Sequence, residues 1–182
     1  DKLSKFEWNI INDKLIPLLK QNVSMQLEAG AEIVMIFDSA ANQLNEIDFE
    51  KYMRIVFKEI VSNFEKKVGY YAKDGVNYSS IEMIKTELSV PLAGLGIDSN
   101  ESLTDFFNPS RKGFIQGNFD EKIMIQPPEI MKENLDKFIE KISSVSIEER
   151  VGWVCGLGHG VLKTTPEENV KFFVKKIRES FA

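Results

Sequence analysis

Strand-like runs and helical stripes alternate along this chain, and that alternation limits its fold more than any other feature. Five short strand-like runs, at 32–37, 67–71, 90–95, 112–115 and 151–155, each precede a helical segment. Ile33-Val34-Met35-Ile36-Phe37 is apolar without alternation, the pattern of a parallel strand covered on both faces. Phe49, Tyr52, Met53, Val56, Phe57, Ile60 and Phe64 form a stripe spaced by three and four, with Asp48 as the expected N-cap. Ile130, Leu135, Phe138, Ile139 and Ile142 form a second stripe behind Pro127 and Pro128. Val170, Phe173, Val174, Ile177 and Phe181 form a third, with Thr165 and Glu168 as the expected capping box. Lys175, Lys176 and Arg178 sit where the helix dipole favours cations. At such spacing these apolar residues read as core packing rather than as a cofactor surface.

Five alternations after an opening helix that ends near Gly30 predict an α/β architecture with right-handed parallel crossovers. A doubly wound sheet usually carries a glycine-rich phosphate loop after its first strand, but Phe37-Asp38-Ser39-Ala40-Ala41-Asn42 has no glycine. A barrel is therefore expected, with its chemistry at the carboxyl ends of the strands. By position, the candidates are Asp38 and Ser39, Lys73 and Asp74, Asp98, Gln116, Asn118 and Asp120, and His159. The last of these stands in Gly156-Leu157-Gly158-His159-Gly160, where glycines let the backbone approach a bound molecule and an imidazole can exchange a proton near neutral pH.

Composition narrows the function further. The apolar fraction of 43% and charged fraction of 28% are those of an ordinary globular protein. Neither a membrane span nor a cleavable signal is visible, so a cytoplasmic location is expected. One cysteine, Cys155, and one histidine leave no internal disulfide, and no metal centre is expected. A net charge of −5 and four scattered arginines argue against a nucleic-acid surface.

Three ordered motifs carry a family resemblance. Glu28-Ala29-Gly30-Ala31 leading to Phe37-Asp38-Ser39, then Gln116-Gly117-Asn118-Phe119-Asp120, then Leu157-Gly158-His159-Gly160-Val161 with Thr165-Pro166-Glu167 together resemble uroporphyrinogen decarboxylase. The resemblance covers the carboxyl-terminal half of that enzyme and implies that residues 1–182 are the carboxyl-terminal part of a single (β/α)8 TIM-barrel domain, present as a partial barrel of about five βα units. It further implies decarboxylation of the four acetate side chains of uroporphyrinogen III to give coproporphyrinogen III, without metal or organic cofactor, by a cytoplasmic homodimer on the route to haem. Ser39 and His159 match the family's substrate-binding positions, and no residue of this segment matches a catalytic one. Asp38, Asp98 and Asp120 fall in family-like motifs but are expected to be structural, capping the helices that follow. Departures include Ala40-Ala41-Asn42 after Phe-Asp-Ser, Gly156 where the family has asparagine, Glu121 in place of proline, and Gly96-Ile97-Asp98-Ser99 after the third strand.

An octa-anionic tetrapyrrole needs several cationic or N–H donors. Arg54, Arg111, Arg150 and Arg178 all fall away from the expected carboxyl-end face. Five strands also cannot close an eight-stranded barrel, so two open edges are expected, with the remainder and the activity belonging to a longer protein. A beginning at Asp1 rather than methionine points the same way. Two alternatives are a cobalamin-linked methyltransferase-like protein, for which Cys155 and His159 have the wrong order for a His-x-Cys zinc site, and a non-catalytic tetrapyrrole-binding relative.

Overall fold

A computed structural model describes residues 4–73 and 78–181; the candidate Asp74 lies outside the described residues. All five expected strands are present. They are β1 (Val34–Asp38), β2 (Val68–Ala72), β3 (Gly94–Gly96), β4 (Phe114–Gln116) and β5 (Trp153–Val154), in the sheet order β1-β2-β3-β4-β5. The helices are α1 (Lys5–Ile10) and α2 (Ile16–Glu28), joined by a π-helical segment at Ile11–Leu15, then α3 (Glu46–Glu59), α4 (Tyr78–Glu87), α5 (Pro128–Ser143) and α6 (Glu167–Phe181). This succession is the α/β pattern of a partial TIM barrel. Between β3 and β4 the helical element is only a 3-10 turn, Leu103–Phe106.

The chain divides into two compact units. The first, residues 1–70 and 76–93, holds β1, α3, α4 and the start of β2. Phe49, Met53 and Phe57 of α3 are buried at the predicted spacing, and Phe57 meets the Tyr70 ring edge-on at 6.0 Å. Arg54 of α3 pairs with Glu87 of α4 at 2.7 Å, and Ser80 of α4 donates to Glu50 of α3 at 2.9 Å. The backbone amide of Val34 donates to the Lys67 carbonyl at 2.9 Å, which brings β1 beside β2. Lying at the end of the strand order, β1 has a neighbour on one side, and Ile33 and Phe37 are 40% and 63% exposed. Cover along β1 is uneven, with Val34 buried and Phe37 exposed, while β2 is buried along its whole length.

The second unit, residues 71–75 and 94–182, contains β3, β4 and β5 in parallel register. Leu95 stands opposite Ile115, Gly96 opposite Gln116, and Gln116 opposite Val154. The expected strand at 90–95 starts late, at Gly94; before it the Leu92 amide turns back to the Val90 carbonyl at 3.0 Å. Phe119, Met124, Met131, Leu135 and Phe173 form the core of this unit, with Phe138, Ile139, Val170 and Ile177 packed around it. Two stripe positions are corrected: Ile130 and Val174 are exposed at 46% and 40%, and Met131 fills the inner position on α5.

Two caps also differ from expectation. Asn45, not Asp48, caps α3: its side-chain oxygen accepts from the Asp48 amide at 3.0 Å, and its amide nitrogen donates to the Asp48 carboxylate at 2.9 Å. At α6 the Thr165 hydroxyl is buried without a partner, and the Pro166 carbonyl accepts from the amides of Asn169 and Val170, so the Thr165–Glu168 capping box is not formed. Substituting Asn45→Ala is expected to lower stability by about 1 kcal/mol in urea unfolding, because the first turn of α3 loses its side-chain acceptor. An unchanged midpoint would remove Asn45 as the cap.

Candidate functional site

The strand-end carboxylates share one local device. Asp38 accepts from the Ala40 amide at 3.3 Å, Asp98 from the Asn100 amide at 2.8 Å, and Asp120 from the Lys122 amide at 2.8 Å. In each case the acceptor reaches the amide two residues on, the geometry of an Asx turn. The structural role expected of these three aspartates holds, but they close the turns leaving the strands instead of capping helices. The short aspartate side chain can satisfy a nearby orphan amide before the chain reaches a helix.

In the first unit, Asp38 also accepts a hydrogen bond from the Tyr70 hydroxyl at 2.8 Å. Burial first, and the neighbouring Asp38 charge second, push the Tyr70 phenol well above its usual range. Ser39 follows in the same turn, with its side chain exposed.

In the second unit, the loops leaving β3, β4 and β5 are tied together. The Asn118 side chain donates to the carbonyls of Asp98 and Glu101 at 2.9 and 2.8 Å. Phe119 and Leu157 form a parallel bridge, in which the Phe119 amide donates to the Gly156 carbonyl at 3.0 Å and the Gly158 amide donates to the Phe119 carbonyl at 2.9 Å. Tyr71 donates from its hydroxyl to the Gly158 carbonyl at 2.8 Å, with Asp98 Oδ2 at 3.4 Å. Gly158 lies against the backbone of Ser99, where an added Cβ would stand 2.3 Å from the Ser99 nitrogen. The Ser99 hydroxyl reaches the buried Glu121 carboxylate at 3.4 Å.

Among the candidates, Asp98, Asn118 and the turn bearing His159 thus come together. His159 is half-buried, with Nδ1 3.4 Å from the Gly160 carbonyl. Gln116 pairs within the sheet and Asp120 closes its own turn. Lys73 follows the end of β2, half-buried. Tyr70 and Tyr71 are not among the candidates that the sequence offers, and Glu121 enters there only as a departure from the family pattern. The available signal was a pair of adjacent tyrosines in a buried strand, because a buried phenol needs a hydrogen-bond partner.

The arginines stand where the sequence placed them. Arg54 is engaged by Glu87. Arg111 donates to the carbonyls of Gly113 and Val151, next to the amino ends of β4 and β5. Arg150 lies 5.2 Å from the Phe181 ring, and Arg178 is in the last turn of α6. Burial pushes the Cys155 thiol up to about 12, which leaves it protonated and poorly nucleophilic at neutral pH.

Comparison with known proteins gives a consistent result. The family model described as uroporphyrinogen decarboxylase matches residues 4–180. A protein of Rickettsia bellii named uroporphyrinogen decarboxylase is 31% identical over 97% of this chain and 49% of its own length. Proteins of the same name from Bacillus subtilis and a Synechococcus species are 27% and 30% identical, over 94% and 92% of this chain and 47% and 46% of their own lengths. The chain spans about half the length of the curated relatives it matches.

Two outcomes follow from the local geometry. Gly158→Ala forces a methyl group into the Ser99 backbone and is expected to destabilise the fold by about 1–3 kcal/mol in urea unfolding; a stability equal to that of the unaltered chain would show that the two loops are not in contact. The Tyr70 phenol titrates near about 10 when unfolded and higher when folded. Its contribution is therefore complete below about pH 10 and is lost as pH rises from there toward the folded value. Tyr70→Phe should show a shallower alkaline loss of stability than the unaltered chain, and parallel curves would contradict the assignment.

Proposed function

The chain belongs to the uroporphyrinogen decarboxylase family, and we propose that it forms the carboxyl-terminal part of a longer single-domain barrel that converts uroporphyrinogen III to coproporphyrinogen III. The observation that supports this most directly is the family match over residues 4–180, which includes both Phe37-Asp38-Ser39 and the Gly156–Gly160 loop. In the proposed reaction each acetate loses carbon dioxide and becomes a methyl group. Protonation of a pyrrole carbon creates a cationic ring, the ring takes up the electron pair of the breaking carbon–carboxylate bond, and a proton is delivered to the methylene carbon. The ring carbon then gives up its added proton to restore the pyrrole, so that each acetate consumes one proton and releases one carbon dioxide. No metal or organic cofactor is assigned to these steps.

The part proposed for this chain is recognition. Ser39 would donate its hydroxyl to a substrate carboxylate, and His159 would donate a ring N–H to another. Charge-assisted hydrogen bonds of this kind are stronger than neutral ones and hold the substrate in one orientation. The scarcity of arginines near these loops means that most of the positive charge facing an octa-anion comes from elsewhere in the protein. So does the fixed negative charge that stabilises the cationic ring.

We assign the protein to the cytoplasm, as a homodimer, on the same family grounds. Among the described residues no helix is long and apolar enough to cross a membrane. The net charge of −5 is unsuited to a nucleic-acid partner. Incubating the full-length protein with uroporphyrinogen and measuring carbon dioxide release tests the proposal: release supports the enzyme, and binding without release makes the protein a non-catalytic relative. Ser39→Ala and His159→Ala are each expected to reduce substrate affinity or turnover by a factor corresponding to about 1–3 kcal/mol. Unchanged kinetics in both would remove them from the site.

A further inference from the structure

His159 has little of its own to hold it. Its ring makes a 3.4 Å contact with the carbonyl of the next residue, and the glycines at 158 and 160 leave the flanking backbone permissive. What restrains it is the peptide unit on its amino-terminal side. The carbonyl of Gly158 and the Cα of His159 belong to the same planar group of six atoms, so fixing that oxygen fixes where the His159 side chain departs from the chain.

The Tyr71 hydroxyl holds this oxygen. It has one proton to donate, and the Gly158 carbonyl at 2.8 Å is far better placed to receive it than Asp98 Oδ2 at 3.4 Å. Asp98 is itself held by both the backbone and the side-chain nitrogen of Asn100, so the carboxylate beside the phenol is fixed as well. On its other side Gly158 is held through its amide by Phe119 and presses on Ser99. Tyr71 is 7% exposed, and its ring has room only because residue 96 is glycine: a Cβ there would lie 2.9 Å from the Tyr71 Cβ.

We propose that Tyr71 is a positioning residue, which through the Gly158 carbonyl sets the place of His159 and so the affinity for a substrate carboxylate. The role in affinity rests on the proposed function; the positioning of His159 does not.

The test follows the nuclear magnetic resonance signals of the His159 imidazole in the full-length protein, identified by their loss in His159→Ala. In Tyr71→Phe the ring is kept and the hydroxyl lost. Amide exchange at Gly158, His159 and Gly160 is expected to accelerate by about tenfold, the scale of one lost hydrogen bond, and the His159 ring signals to move. Gly96→Ala, which displaces the ring but retains the hydroxyl, should move the same signals, and Tyr70→Phe should leave them in place. Unaltered His159 signals and exchange in a folded Tyr71→Phe chain would overturn the proposal. In the full-length protein Tyr71→Phe should raise KM by about tenfold with kcat nearly unchanged; a fall in kcat at constant KM would overturn the role in affinity. If the full-length protein releases no carbon dioxide, the functional reading fails while the imidazole and exchange measurements still decide whether Tyr71 positions His159.

Discussion

Parallel pairing of β3, β4 and β5 is the constraint on which the candidate site depends. Parallel strands must all leave the sheet at the same edge, so the residues after Gly96, Gln116 and Val154 emerge as neighbours although they are far apart in the chain. Those neighbours are the turns at Asp98, Asn118 and Gly158. Their mutual hydrogen bonds follow from the register, because a one-residue slip would carry Asn118 away from the two carbonyls it bridges.

Turns that leave the strands of either unit show how polar groups can be used for structure before they are used for chemistry. Asp38, Asp98 and Asp120 each spend an oxygen on an amide two residues ahead, and Asn118 spends its amide on loop carbonyls. Buried backbone donors and acceptors have to be satisfied, and in loops too short to form helix these side chains are the nearest partners. Ser39 stands in the turn closed by Asp38, and His159 follows a glycine held by Phe119 and Tyr71. The chain thus contributes a set of ordered turns closed by their own side chains.

Much of the fold was legible because it is written in local period. All five strand-like runs contain a strand, and Phe49, Met53 and Phe57 face inward at the spacing expected of a helix. The errors lie at element ends and at edges. Asn45 and Asp48 are equally good caps as residue types, and only the point at which the chain turns into α3 selects the first. Thr165 and Glu168 have the spacing of a capping box, yet the Thr165 hydroxyl is buried away from the helix amides. Phe37 reads as a doubly covered residue and is exposed, because cover depends on neighbours that a five-residue run does not specify.

Sequence alone determined the order of elements, the strand-end placement of the candidate residues and the flexible glycine setting of His159, since each of these depends on residues adjacent in the chain. Tertiary structure alone decided that a phenol from β2 would hold the Gly158 carbonyl. Tyr71 and Gly158 are 87 positions apart. No local pattern encodes that meeting; it arises because the pleat, the register and the absence of a side chain at residue 96 bring one hydroxyl within bonding distance of one peptide oxygen.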